Sequence, residues 1–318
     1  MEKITNKYEM SYIRKMGNHE THETENELIV LLPVGCCFAK GGNACSYCGY
    51  QALVDEMNAT STFDSYLEIL KNELEKQTEI IHRISFFVGG SFFEIPESER
   101  LSLLQELNKY DDIKKVFFET RPELITEENV RSAFSALKNK ELTVAIGLES
   151  SDASIRNAVH NKGFSNDEFE KKMKILSESG IKPFTYVFVK PPMAGITDEV
   201  ALEDAIRSIK YSFDCGASGV ELECGYIVED SHMHELYKKG LYETLSLWNI
   251  KKLLHKAFAL TPGIIRLAYF SDTPEPIAIP SNCEKCNDEF YRMFNQYRET
   301  MNRRIISNSI ECVCGQSS

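Results

Sequence analysis

Six short apolar runs, separated by helix-length amphipathic stretches, constrain this 318-residue chain more than any other feature. The runs cover residues 28–34, 83–88, 115–119, 143–148, 183–189 and 219–224, all rich in Val, Ile, Phe and Leu. Helical periodicity fills the gaps at 63–77, 98–110, 126–137, 165–179 and 198–213. Repeated βα units of this kind can bury both faces of a sheet only as parallel strands with helical crossovers. The pattern predicts an α/β protein with a partial (β/α)6-type parallel barrel over residues 27–280. A polar segment at 1–26, read as a helix and a loose connection, precedes it, and a small cysteine-rich extension at 281–318 follows. A further helix is expected from Trp248 to about residue 260, then an extra strand within 263–270. The prolines between 272 and 280 read as the barrel's boundary.

In such barrels the chemistry sits on loops at the C-terminal ends of strands, and the unusual residues of this chain all fall there. Gly35-Cys36-Cys37-Phe38 to Cys45-Ser46-Tyr47-Cys48 follows the first run and packs four cysteines into thirteen positions. Gly89-Gly90-Ser91 follows the second, Glu119-Thr120-Arg121 the third, Gly147-Leu148-Glu149 the fourth, and Lys190-Pro191-Pro192 the fifth. A Cys-x-x-Cys pair with a third thiol upstream in a Gly-rich loop can wrap one metal centre. A closed zinc site wants four protein ligands, whereas an iron–sulfur cluster that binds substrate keeps one metal position open. The close third thiol and the Gly41-Gly42 turn favour a [4Fe–4S] cluster over zinc.

Ten cysteines without any apolar signal core point to metal ligation in a reducing compartment. No run is long enough to cross a bilayer, so a cytoplasmic protein with no membrane contact is expected. The 36 basic and 48 acidic side chains leave a net charge of -12, which argues against autonomous binding of a nucleic-acid backbone. In the tail, Cys283-x-x-Cys286 and Cys312-x-Cys314 flank an amphipathic helix at about 288–303. Two close pairs fit a four-thiolate Zn2+ site, with a second cluster or unligated thiols as alternatives. Cys215 and Cys224 read as buried structural residues. Glu221 and Glu223 share a strand face, and Glu229, Asp230, His232 and His234 follow in what reads as a solvated loop or a substrate mouth. His19, Glu20 and His22 read as a solvated linker rather than a metal site.

The motifs Gly-Cys-Cys-Phe-Ala…Cys-Ser-Tyr-Cys-Gly-Tyr, Gly-Gly-Ser-Phe-Phe-Glu, Glu-Thr-Arg-Pro-Glu, Gly-Leu-Glu-Ser and Asn161-Lys162-Gly163 resemble those of radical S-adenosylmethionine (SAM) enzymes. More narrowly they resemble the radical SAM subunit of archaeosine synthase, in a branch related to the Elongator catalytic subunit. The resemblance implies that three cysteines hold three irons of a [4Fe–4S] cluster, and that the amino and carboxylate groups of SAM chelate the fourth. Cys45 and Cys48 match the family's loop directly. For the first ligand, the Gly35-Cys36-x-Phe38 start selects Cys36, while the usual seven-residue spacing selects Cys37. By the same resemblance Tyr47 lies against the cofactor and Gly89, Gly90 and Ser91 meet the methionine amine. Glu119, Arg121 and Glu149 would hold its carboxylate or ribose, and Lys190 would border the cofactor. The implied reaction is reductive cleavage of SAM to a 5′-deoxyadenosyl radical that takes hydrogen from substrate, with an electron donor such as flavodoxin or ferredoxin. The substrate is either a modified nucleoside in tRNA, reached through a partner subunit, or a small biosynthetic intermediate. A zinc-stabilised interaction protein without a catalytic cluster is the remaining reading.

Overall fold

The computed structural model describes residues 9–60, 65–229, 231–270 and 275–316. The first eight residues, the start of the helix expected from 63, Asp230, and 272–274 of the proline-rich boundary lie outside the described residues. Along the chain come β1 (Ser11–Gly17), β2 (Thr24–Leu31), α1 (Cys37–Lys40), α2 (Tyr50–Thr60), α3 (Tyr66–Glu75), β3 (Arg83–Phe87), α4 (Glu97–Glu106), β4 (Lys115–Glu119) and α5 (Glu127–Ala136). They are followed by β5 (Glu141–Glu149), α6 (Asn166–Glu178), β6 (Lys182–Val189), α7 (Asp198–Asp214), β7 (Gly219–Cys224), α8 (His232–Lys238), α9 (Leu247–Leu260), β8 (Ile264–Leu267) and α10 (Glu284–Thr300). Six of the helices open on a serine or threonine whose hydroxyl accepts from the backbone N–H three residues on: Ser65, Thr126, Ser165, Thr197, Ser231 and Ser246. Each cap satisfies one of the N–H groups that a helix start leaves unpaired.

The strands form one eight-stranded sheet in chain order, parallel from β2 to β8. This is the expected partial barrel, with β8 as the extra strand. Alternate residues face opposite sides. Val30, Phe86, Phe118, Val144 and Ile146 point outward into a core shared with α3 to α6, while Phe117, Ala145 and Phe184 pack inside the curl. A second core joins β6, β7 and β8 to α7, α9 and α10.

One expectation is overturned. Residues 11–17 form an edge strand paired antiparallel with β2, from Ser11↔Val30 to Gly17↔Thr24, and not a helix. The polar composition misled because an edge strand with one solvated face carries as many charges as an exposed helix does. Pairing and burial override the weak local preference. Arg14 is drawn inward, donating to the buried Glu27 at 2.8 Å. Burial alone would raise the Glu27 carboxyl; Arg14 and Arg83 overcome it and hold it down at about 2. The crossover after β2 also differs: a separate helix, α2, precedes α3. His232 and His234 lie in the short helix α8 rather than in a loop. Cys224 is buried as expected, while Cys215 caps α7 half-buried.

The sheet does not close on itself. β1 and β8 are its two ends, and α10 lies across the seam between them. Tyr297 donates its hydroxyl to the Ile265 carbonyl, Arg298 Nε to Leu267 O at 3.0 Å, and Thr24 Oγ1 to Glu299 O at 2.8 Å. Gly17 permits this approach, since a Cβ there would stand 2.4 Å from the Met301 backbone nitrogen.

Candidate active site

The cysteine loop leaves β2 at the C-terminal mouth of the barrel and is bound down from several sides. Gly35 N donates to Val88 O at 2.9 Å, Cys36 N to Gln51 Oε1 at 2.8 Å, and Cys37 N to Glu94 Oε2 at 2.9 Å. The close pass of Gly90 beneath the loop requires glycine: a Cβ at that position would stand 2.1 Å from the Gly35 carbonyl oxygen. Gly35 and Gly89 themselves adopt φ of +81° and +65°.

Within the loop the four thiols are not equivalent. Burial pushes the Cys48 thiol up to about 12, and Lys162 is the cation that acts against that rise. Cys37 is turned the other way and is exposed. Its thiol is raised by burial and then by Glu94, to which it is hydrogen-bonded. Tyr47, between Cys45 and Cys48, leans over the barrel mouth. Its hydroxyl donates to Glu149 Oε1 at 2.7 Å, and the same oxygen accepts from Lys162 Nζ at 2.9 Å. Burial would lower the Lys162 ammonium, but Glu149 outweighs it and the group is raised, so the lysine keeps its charge. Gly147 is needed beneath them, because a Cβ there would meet Glu149 Oε1 at 2.4 Å and Lys162 Nζ at 2.6 Å.

Three residues at the mouth hold left-handed backbones without being glycine: Glu149, Asn161 and Lys190, with φ of 61°, 58° and 68°. Strain of this kind persists only where surrounding contacts over-determine it. Asn161 Nδ2 supplies such contacts, bonding Asn43 O and Ala44 O and so tying its segment to the cysteine loop. Arg121 stacks its guanidinium 3.8 Å from the Phe38 ring centroid, donates to Lys162 O at 2.6 Å and bonds Glu123. Its backbone N–H donates to the buried Ser91 Oγ at 2.8 Å. Thus Tyr47, Glu149, Arg121, Ser91, Gly89 and Gly90 meet at one place. Glu119 faces the lumen from β4, where it, Glu221 and Glu223 act on Tyr186; burial first and then these carboxylates raise its phenol. Lys190 is committed elsewhere, with its ammonium 2.6 Å from Asp198 Oδ1.

Sequence reasoning gave no role to Lys162, although it stands in the quoted Asn161-Lys162-Gly163 turn, and it missed His160 and Phe188. His160 is fully buried, with ring centroids 5.4 Å from Tyr47 and 5.2 Å from Phe188, and neither of its ring nitrogens has a protein partner. Burial, then Lys162, pushes it down to about 3, so the ring is neutral. No spacing rule could have singled out one histidine at the end of a short helical turn.

The tail cysteines form a second site. Cys283, the residue before α10, and Cys286 in its first turn meet Cys312 and Cys314, with all four sulfurs within 4.8 Å of one another. Contacts run from 3.4 Å (Cys283–Cys312) to 3.7 Å (Cys283–Cys286). Thiolates ~2.3 Å from a tetrahedral zinc would stand about 3.8 Å apart, so the set fits one ion. A four-iron cube needs its thiolates farther apart, at separate corners. Trp248 Nε1 donates to Cys314 Sγ at 3.4 Å and favours its thiolate, and Asn282 Nδ2 reaches Cys286 Sγ at 3.7 Å. A cavity of about 200 Å³ lies at the opposite end of the barrel, lined by His19, His22, Gly263 and Arg303 among others. It is remote from both cysteine sites.

Over residues 33–205, more than half of its length, the chain matches the Radical SAM superfamily. The chain belongs to that superfamily. Its cysteine loop, glycine pass and Glu149 all fall inside the matched region. Among individual proteins, it is 29% identical over 306 residues to archaeosine synthase subunit beta of Methanosarcina acetivorans, covering 92% of this chain and 83% of that protein. The corresponding subunit of Thermococcus kodakarensis is 27% identical over 235 residues, covering 71% and 70%. Among solved structures, Elp3 of Methanocaldococcus infernus, lacking its N-terminus, superposes with a TM-score of 0.51 at 15% identity. That match covers 83% of this chain and 62% of the other, and it shows a shared fold. Membership in the radical SAM superfamily implies a [4Fe–4S] cluster and SAM. The donor set is of the right kind: the loop at the end of the first parallel strand carries four free thiols, three of them partly buried, and Lys162 acts electrostatically on Cys45 and Cys48. Among the described residues no helix is long and apolar enough to cross a membrane.

Proposed function

We propose that Cys36, Cys45 and Cys48 hold the [4Fe–4S] cluster and that Cys37 is not a ligand. The observation that supports this is the exposure of Cys37 and its hydrogen bonding to Glu94, while Cys36, Cys45 and Cys48 are each partly buried in the same loop. When bound, the cluster and SAM supply a 5′-deoxyadenosyl radical for hydrogen abstraction. The protein's part is position and exclusion of water. Gly89, Gly90 and Ser91 offer bare backbone to the methionine end. Lys162 and Arg121 are the cations suited to its carboxylate, and Glu149 and Glu119 suit hydroxyl groups. Tyr47 walls the site against Phe188, with ring centroids 4.6 Å apart. Zn2+ in the tail thiolates would be structural, since four protein ligands leave no open position.

For the substrate, the similarity to archaeosine synthase subunit beta favours a modified nucleoside in tRNA. The word subunit in those names, with the net charge of -12 here, favours a partner that supplies the RNA-binding surface. The same acidity favours, as a second reading, a small biosynthetic intermediate. Anaerobic reconstitution followed by iron, sulfide and zinc analysis, with SAM and dithionite added, tests the chemistry. About four irons, one zinc and release of 5′-deoxyadenosine are expected, and a zinc-only, SAM-inert protein would overturn the reading. A salt-dependent tRNA gel shift, with and without a candidate partner, separates the two substrates. Binding that needs the partner supports tRNA, and none in either case supports the small molecule.

A further inference from the structure

The two cysteine sites are joined by a continuous line of contacts that neither site's own chemistry requires. It begins at the tail sulfurs, which touch the first turn of α9 twice. Trp248 donates to Cys314 Sγ at 3.4 Å, and Asn282 bridges Cys286 Sγ to the Leu247 backbone N–H, which it accepts at 2.9 Å. The next residue of that turn, Asn249, donates Nδ2 to Asp198 Oδ2 at 2.8 Å, at the start of α7. The other oxygen of Asp198 takes the Lys190 ammonium at 2.6 Å. Lys190 ends β6 in its left-handed conformation, and Tyr242 holds its carbonyl at 2.7 Å. Two residues back along β6, Phe188 packs against Tyr47 between Cys45 and Cys48.

We propose that the first turn of α9 is a strut through which the tail thiolate site sets the wall of the radical SAM site, with Asn249 and Asp198 as positioning residues. Neither touches the cluster or the cofactor. A left-handed lysine costs energy unless its surroundings impose it, and the fork of Asp198 between Lys190 and Asn249 imposes it from one side. Releasing that fork lets residues 188–190 relax towards an ordinary extended backbone, and Phe188 then no longer backs Tyr47. An ion gathered by the four tail sulfurs fixes Trp248 and Asn282, and with them the near end of the strut. The coupling is carried by named hydrogen bonds between rigid elements, which is the form such coupling takes when it has a physical basis.

This inference rests on the cluster assignment above, and its test separates the two. Asn249→Ala cuts the strut without touching a cysteine or the mouth. The measurement is the electron paramagnetic resonance spectrum of the reduced, reconstituted protein titrated with SAM, with iron and zinc contents alongside. The expected result is unchanged metal content and roughly a five- to tenfold higher SAM concentration at half-change, the size of one lost side-chain hydrogen bond. Cys312→Ser, which dismantles the tail site, is expected to shift the titration in the same direction, and the double variant no further than the larger single effect. Arg303→Lys disturbs the other end of α9, where Arg303 bonds Thr261 O at 2.8 Å, and is expected to lower stability while leaving the titration in place. An Asn249→Ala protein that titrates like wild type, or an Arg303→Lys protein that shifts equally, would overturn the strut alone. A wild-type protein with no cluster signal would overturn the assignment and the strut together.

Discussion

The loop and the tail of this protein both gather four cysteines, and they do it in opposite ways. In the tail, a helix start and two flanking segments bring all four sulfurs within 4.8 Å, a spacing suited to one ion with every position filled. In the loop, one of the four, Cys37, is turned away to Glu94, and the other three sit on a glycine-rich segment threaded between strand ends. The tail site is built on α10, which also seals the barrel's seam. The loop site is built on strained backbone and borrowed contacts from β3, α2 and the segment after β5. The difference teaches that cysteine count alone does not distinguish a structural site from a reactive one. What differs is that the fold gathers all four tail sulfurs to one point and leaves one of the four loop thiols exposed.

The sharpest way to break this comparison is to exchange the two adjacent cysteines of the loop. Cys36→Ala is expected to abolish cluster assembly and 5′-deoxyadenosine release while leaving tail zinc in place. Cys37→Ala is expected to keep both, and the reverse result would make Cys37 the ligand. Next in size is Glu149→Gln, which strands the buried Lys162 ammonium. Removing one partner of a buried pair costs about 3–5 kcal/mol, measurable by denaturant unfolding, and a loss below ~1 kcal/mol would show that the pair is solvated. Gly90→Ala then probes the glycine pass. With the Gly35 carbonyl 2.1 Å from the new methyl, a loss of about 1–3 kcal/mol and poorer iron loading are expected, with tail zinc unaffected. Unchanged iron loading would show that the loop can lift away freely.

Comparable with the glycine probe, at about 2 kcal/mol between pH 7 and pH 5, is a pH dependence set on the loop side. Burial holds the His160 ring neutral down to about 3, well below its unfolded value of ~6.5. Its contribution is therefore present above pH 6.5 and lost as pH falls, by up to about 1.4 kcal/mol per unit towards pH 3. Comparing unfolding free energies at pH 7 and pH 5 for wild type and His160→Phe tests this. The variant should lose less stability on acidification, and parallel losses would mean that the ring is hydrated.

Much of this was legible along the chain. The six βα periods, the register of the motifs at one end of the strands, and the paired cysteines are local patterns, and local patterns survive into structure when each buried face has a period of its own. What was not legible involves partners far apart in sequence. Ser11–Gly17 reads as polar helix until β2 pairs with it. Lys162 reads as one more surface lysine until Glu149, on a bulged strand end, takes its charge. His160 carries no periodic or spacing signal at all, because its environment is made by Tyr47 and Phe188 from distant segments.

The sequence by itself therefore determined the barrel class, the end of the barrel at which the chemistry lies, and the presence of two thiol-rich sites, because these follow from periodicity and ligand spacing. Only the tertiary structure decided that Cys37 is exposed and bonded to Glu94, that Glu149 is shared by Tyr47 and Lys162, and that α10 closes the seam. Each of these depends on which side chains meet across the fold, and such meetings are set by packing and by the demand that buried charges find partners.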